Sequence, residues 1–513
     1  MNIRLSVKLF SVIAFLFLVA GTCMSQSYNW IIPNKAYLKL SVVEDAVYRI
    51  NRTDFSNAGI NTATIDPRTV KVFNKGQQIP IYFEGESDGV FDNADYFDFF
   101  GTRTYGGNTK YYNQDNGLVY TKDEYNTLYS DTNVYWVEWG VSNGLRFANA
   151  TFSTTNPYSL QYYYDNLQFE RDKVYTQGER ADANDFRYFN NENFQGEGWY
   201  WTLMTTSQFV SDTFSVKTLT SQVQNARIKL FAYPSNRTFS INNEHSIQVQ
   251  VNSTFLPQVF TNDLKRIDTV QTFLSSVLSS TSVNTVRVFY FSNASFNGNM
   301  YFDMFQMQVP KAFKFNANTI SANLANADTT SKQFRISGYV PGNQTNIYDV
   351  VNNVRIANYS SSSDTLILTA KSNARLEIVN KAITKKPFKM IQRQVPDLVS
   401  SSNGADYMIV YHSKFVQQAF QLQNHRETYD DFRVVKAEIR DIYDIFNYGI
   451  ENPVALRNFL KYAYDNWTLP KLKYAVLLGR GSTDPKKNST SSVYYQNLLP
   501  TYGNPTTDAY FAN

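Results

Sequence analysis

Apolar and polar positions alternate along most of the chain. AYLKLSVVEDAVYRI (36–50) alternates in two halves about Glu44-Asp45 and predicts a β-hairpin. TVKVFNKGQQIPIYF (69–83) repeats the pattern around Asn74-Lys75-Gly76, whose residue types suit a tight hairpin turn, and NVYWVEWG (133–140) predicts a further strand. RIKLFAY, FSINNEHSIQVQVN, VNTVRVFYFS and YFDMFQMQVP continue the series to about residue 310. QFRISGYV, IYDVVN, DTLILTA and ARLEIV then form a smaller β segment that ends in the basic, proline-containing TKKPFK. Short strands at regular intervals predict β-sandwich units, and the lack of a fixed-period repeat argues against a solenoid or propeller.

Near residue 400 the periodicity changes. YMIVY (407–411) is a continuous apolar run, SKFVQQAFQLQNHRET places Phe415, Ala419 and Leu422 at helical spacing, and FRVVK (432–436) reads as a second strand. IRDIYDIFNYG predicts a short helix closed by Gly449. Asn452-Pro453 then supplies a capping residue and a proline at the first helical position, followed by Leu456, Phe459, Leu460, Ala463 and Trp467 on one face. YAVLLG (474–479) is a third buried strand. Strand, helix, strand, helix, strand is the start of an open parallel α/β sheet, so the fold class expected is multidomain: a β-sandwich-rich N-terminal region and then the beginning of a parallel-sheet domain.

The N-terminus differs from both patterns. Arg4 and Lys8 precede the apolar run LFSVIAFLFLVA (9–20), and small residues follow, which reads as a secretory signal peptide cleaved after Ser25. The run is shorter than the roughly 20 residues of a membrane span, so no transmembrane span is expected in the mature chain. The organisation expected is a signal at 1–25, an N-terminal β domain at 26–145, a β-sandwich at 146–310, a small β segment at 311–395 and an incomplete α/β domain at 396–513.

Composition narrows the chemistry. A formal net charge of +4 on 18% charged residues disfavours a nucleic-acid partner bound through a basic face. Aromatics reach 16%, which suits half-buried strand surfaces. The sole cysteine is Cys23, inside the predicted signal, and the histidines are His245, His412 and His425. That excludes an internal disulfide and a Cys/His zinc site.

Several of these stretches together resemble the gingipain-type cysteine peptidase family, and within it the type IX secretion sortases. The α/β portion carries the resemblance in ADYMIVYH, VVKAEIRDIYDIFNYGIENPVALRNFLKYAYDNW, KYAVLLGRGSTDP and LLPTYGNPTTDAY. Upstream, AVYRINRTDFSNAGI, IDPRTVKVFNKGQQIPIYF, DGVFDNADYFDFFG and NVYWVEWG are similar to the β-rich region that precedes the catalytic domain. The resemblance covers roughly residues 36–140 and 400–511. It implies a caspase-like α/β fold with a cysteine nucleophile activated by a histidine, both on loops past the third strand. No cysteine follows Cys23 and the last histidine is His425, so these residues are expected to be the N-terminal part of such a peptidase, without its catalytic pair. Implied partners are secreted cargo proteins or other type IX secretion components, at the outer membrane surface or outside the cell.

Candidate residues follow from position. GRGSTDP (479–485) trails a buried strand, where open α/β sheets place ligands, but it lacks the third glycine of a dinucleotide loop and the lysine of a P-loop. The resemblance puts Arg480 where the family usually carries aspartate and retains Asp484, which before Pro485 also reads as a turn residue. Thr507-Asp508 takes the place of the family's Ser-Asp, so Asp508 is a candidate for lining the cleft. His412, at the end of YMIVY, lies on the same side and is a further candidate for lining the cleft, although a histidine there more often caps the following helix or is hydrogen-bonded locally. His425 ends a helix, and His245 sits between strands. Asp88, Asp92 and Asp95 in SDGVFDNAD offer hard oxygen ligands for Ca²⁺, although Asp-Gly also marks an ordinary turn. The aromatic stretch 178–202 raises a rival reading, a secreted non-enzymatic adhesin or glycan-binding protein, against the expectation that its rings pack over sandwich edges.

Overall fold

The computed structural model describes residues 28–512 apart from 113–118, 152–155, 160, 177–197, 239–240, 318, 325–326, 342–343, 383–384, 490–495 and 503–506. The signal-peptide reading, with Cys23, and most of the aromatic stretch 178–202 fall outside the described residues.

The N-terminal unit packs two antiparallel sheets. One has the order Lys389–Arg393, Tyr37–Val42, Asn133–Glu138, Lys71–Asn74, Gln77–Ile79, and the other Ala46–Asn51, Tyr96–Gly101, Tyr82–Glu84. Between the sheets lie Leu38, Leu40, Val72 and Val137 of the first and Ile50, Phe97 and Phe99 of the second. The turn at Lys75-Gly76 holds two consecutive residues at positive φ, 48° and 75°, the backbone a two-residue hairpin loop of this hand requires.

The expected hairpin at 36–50 does not form. Tyr37–Val42 pairs with Asn133–Glu138 and Lys389–Arg393, whereas Ala46–Asn51 pairs with Tyr96–Gly101 in the opposite sheet. Glu44-Asp45 is therefore a corner between sheets, and Asp45 fixes it by accepting from the Arg103 N–H at 3.1 Å and pairing with Arg375 at 3.1 Å. Alternation fixes which residues face the core; it does not name the partner strand. The basic TKKPFK segment clasps this unit, with Lys385 pairing Glu44 and Lys386 pairing Asp54, and leads directly into the edge strand at 389.

Two further sandwiches follow. In one, Tyr162–Glu170, Asn299–Ala312, Asn225–Pro234 and Ile267–Leu274 face Phe209–Phe214, Asn284–Ser292 and His245–Val251 across a core that includes Ile228, Leu230, Ile247, Val249, Val286 and Val288. In the smaller one, Arg375–Asn380 and its neighbours face Ser331–Ser337 and Thr365–Lys371. A buried polar cluster joins the smaller sandwich to the N-terminal unit: Asp98 receives two bonds from Arg49, at 2.7 and 2.8 Å, one from Tyr348 at 2.9 Å and one from Asn346 at 3.1 Å. A fully buried carboxylate is tolerable because four donors satisfy it.

The C-terminal part is the α/β unit read from the sequence. Tyr407–Tyr411 lies at the centre of a parallel sheet, flanked by Val434–Glu438 and Tyr474–Leu478. Helix α1 (Val416–Tyr429) leads to one neighbour, and α2 (Ile439–Phe446) and α3 (Pro453–Asn466) lead to the other. Asn452 caps α3 by accepting from the Val454 N–H, with Pro453 at the first position. Tyr407, Ile409 and Val434 meet Ala419 of α1, while Met408, Val410 and Ala437 meet α2 and α3. The far side of those two helices rests on the N-terminal sheet, so the second core also holds Tyr37, Val134 and Trp136. This explains the unbroken apolar run in NVYWVEWG: Tyr135 and Val137 point into their own sandwich, Val134 and Trp136 into the α/β unit. The Trp136 indole N–H donates to the Tyr448 carbonyl at 2.8 Å. Among the described residues no helix is long and apolar enough to cross a membrane.

Candidate functional site

The parallel sheet reverses direction of growth at its central strand: the first crossover goes to one side and the second to the other. Such a switch point opens a crevice at the carboxyl ends of the strands. Here those ends are Tyr411-His412, Glu438 and Leu478-Gly479.

His412 sits at these strand ends as a cap. Its Nδ1 accepts from the Lys414 backbone N–H at 3.1 Å, closing the turn Ser413–Phe415 that leads into α1. Partial burial pushes its imidazole below the ordinary value, with Glu438 pulling the other way. A ring committed through Nδ1 to a backbone donor keeps only Nε2 for other chemistry.

The loop after the third strand is built by close packing. A Cβ at Gly479 would sit 2.8 Å from Leu499 Cγ, and one at Gly481 would sit 2.1 Å from Thr501 Cγ2. Both glycines are thus required by the 498–501 segment, whose Leu498 and Leu499 N–H groups donate to the Arg480 carbonyl at 2.9 and 3.1 Å. Asp484 is buried and accepts from the Asn488 and Ser489 N–H groups at 2.7 and 2.8 Å, so its carboxylate braces the turn.

Asp508 is exposed. It lies on a cavity of about 840 Å³ between α3 and the edge strand Tyr474–Leu478, shared with Arg457, Tyr464 and Phe511. Among the described residues no hydrogen bond or ion pair joins His412, Asp484 and Asp508. His245 is core: it is fully buried in the larger sandwich, 2.8 Å from the Tyr290 hydroxyl and 2.9 Å from the Asn236 carbonyl, and burial lowers its pKa. His425 lies within α1, its ring tilted against that of Tyr429 with centroids 4.7 Å apart.

Asp88, Asp92 and Asp95 do not converge. Asp88 accepts from Val90 N–H at 3.0 Å, and Asp95 accepts from Asp92 N–H at 2.7 Å, so each of these two carboxylates serves a local turn. Among the described residues no three His, Cys, Asp or Glu side chains form a group able to hold a metal ion. Of the aromatic stretch, Trp199, Tyr200 and Trp201 are described, and all three are buried.

One functional-looking residue escaped the sequence. Lys486 extends from the Asp484 turn to the N-terminal unit, reaching the Thr127 carbonyl and Asp131, with Asp172 of the larger sandwich at 3.6 Å. Beside it the Trp199 indole N–H points at the Thr483 carbonyl at 3.4 Å. The loop at the crevice rim is thereby tied to two upstream units. A lysine after a turn ordinarily reads as solvated, and only the tertiary pairing distinguishes this one.

Residues 400–513 match the family described as peptidase family C25. Among solved structures, dimeric latent PorU from Porphyromonas gingivalis shares the fold at a TM-score of 0.65 and 15% identity, covering 93% of this chain and 45% of that one. The chain therefore spans less than half the length of the PorU chain it matches. A calcium-binding mutant of Bacteroides uniformis beta-glucuronidase 2 matches at 8% identity over 63% of this chain and 48% of that one, with a TM-score of 0.15 that carries no structural weight. No curated protein matches the sequence.

Proposed function

With residues 400–513 forming the start of a peptidase family C25 domain, the gingipain family, we propose that the chain is the N-terminal part of an exported cysteine peptidase acting as a type IX secretion sortase. The observation that carries this reading is the combination of the C25 match with a PorU-like fold over 93% of the chain. In the proposal the nucleophilic cysteine and its histidine come from the part of the domain beyond these residues. A thiolate paired with an imidazolium attacks the cargo carbonyl at its junction with the C-terminal sorting domain. The peptide C–N bond breaks, the sorting domain leaves as an amine that takes its proton from the imidazolium, and the cargo stays on the enzyme as a thioester. Water or the amine of a surface anchor then resolves that thioester, releasing or transferring the cargo. The present residues contribute the first three strands, the crevice at their carboxyl ends and the β units that brace it. Secreted cargo and other type IX components are the partners, at the outer membrane surface or outside the cell.

The test uses the full-length gene product and a cargo protein carrying a C-terminal sorting domain. Release of the sorting domain, blocked by iodoacetamide, is the expected result. Intact cargo, or cleavage indifferent to thiol alkylation, would overturn the proposal.

A further inference from the structure

The larger sandwich turns one sheet outward with an ordered array of side chains. Alternation along Phe209–Phe214, Asn284–Ser292 and His245–Val251 sends Val210, Val288 and Val249 to the core. The opposite face then carries Phe209, Phe289 and Gln248 in one cross-strand row, Arg287, Gln250 and Phe255 in the next, and Phe291, Ser246 and Phe260 on the other side. Phe209, Phe255 and Phe260 are 51%, 55% and 52% exposed. Phe289 joins the rings into one surface, with centroids 5.1 Å from Phe209, 6.0 Å from Phe255 and 6.4 Å from Phe291. Five phenylalanines on a solvent-facing sheet are costly for a protein that needs solubility, and such a patch marks a binding surface.

Its polar residues indicate the ligand. Every row breaks the aromatic surface with an amide or hydroxyl, so a continuous apolar partner segment would leave those groups desolvated. The rows carry Arg287 as their single charge and no carboxylate, which gives a polyion little to pair with. The polar groups are held in place: Arg287 donates to Gln250 Oε1 at 3.2 Å, the Gln248 amide donates to the Leu256 carbonyl at 3.3 Å, and the Gln258 amide donates to Ser246 Oγ at 2.8 Å. Flat apolar rings alternating with fixed amides match a pyranose, which has an apolar C–H face and a rim of hydroxyls.

We propose that this face binds an uncharged polysaccharide, with pyranose rings stacked on Phe209, Phe289 and Phe255 and hydroxyls bonded to Gln248, Gln250 and Arg287. The site lies on a unit remote in sequence from the C25 match and stands independently of the peptidase reading. Affinity electrophoresis of the 513-residue chain in native gels cast with hydroxyethylcellulose, galactomannan or dextran tests it. Retardation by at least one polymer is expected, with association weakened about tenfold by Phe289→Ala or Phe209→Ala, retained in Phe289→Trp and weakened in Gln250→Ala. These side chains lie outside the core, so unchanged melting temperatures are expected for the variants. Equal mobility in all three gels would overturn the proposal, as would retardation indifferent to the substitutions. Self-association in sedimentation that Phe209→Ala abolishes would also overturn it, by assigning the face to a second copy of the chain.

Discussion

The Lys486 ammonium lies 3.0 Å from the Asp131 carboxylate, fastening the loop at the crevice rim to the N-terminal β unit. Asp131 is shared with Arg103 at 2.7 Å, and the lysine is largely buried, so the contact is shielded from solvent screening. Lys486→Met is expected to lower stability by about 2 kcal/mol, the loss of a charged hydrogen-bond set, and to speed amide exchange in 479–489. Urea unfolding and hydrogen exchange read the two effects. The double variant with Asp131→Asn should cost less than the sum of the singles, because the pair is coupled.

Gly449 tests the junction between the α/β unit and the N-terminal sheet. Its φ of 90° is left-handed, and a Cβ there would lie 2.9 Å from Val134 Cγ1 and 3.1 Å from Lys39 Cε. Gly449→Ala combines backbone strain with a clash at the core boundary and is expected to cost about 1–3 kcal/mol, measured as a lower thermal midpoint.

Asp441 gives the junction a pH dependence. Burial raises its pKa to about 6; Arg393 opposes the rise, while Glu438 and Asp444 add to it. Because the folded value exceeds the ordinary carboxylate value of 3.8, the native state holds a proton that the unfolded state has lost between about pH 4 and 6. The contribution of this group to stability is therefore fully present below pH 4 and declines as pH rises through about 6. Asp441→Asn should remove that declining component from a plot of urea midpoint against pH. A plot unchanged in shape would contradict the assignment.

Residues 400–513 produced alone should aggregate or melt without cooperativity. The helices α2 and α3 would lose Tyr37, Val134 and Trp136 from their core, and the edge strand Tyr474–Leu478, whose Tyr474 is already 52% exposed, would remain open. A soluble fragment with a sharp melting transition would contradict this.

Local signals in the sequence proved dependable where short-range chemistry decides the outcome. Asn452-Pro453 starts a helix, Lys75-Gly76 turns a hairpin and YMIVY is buried on both faces because helices cover both. Pairing between distant strands was not legible: the two halves of 36–50 alternate correctly yet belong to different sheets, and Lys389–Arg393 completes a sheet begun 350 residues earlier. The candidate site was legible as a location only. His412, Asp484 and the glycines lie at the carboxyl end of the sheet, but capping and close packing occupy them, while Lys486 acquires its role from carboxylates in other units.

The peptidase reading stands or falls on covalent capture of the nucleophile. The full-length gene product would be treated with an acyloxymethyl ketone peptide spanning the junction of cargo and sorting domain, then digested and mapped by mass spectrometry. One thioether adduct, on a cysteine of the C25 domain beyond residue 513, with parallel loss of cargo processing, is the predicted result. No adduct, or processing that continues in fully labelled protein, would contradict it.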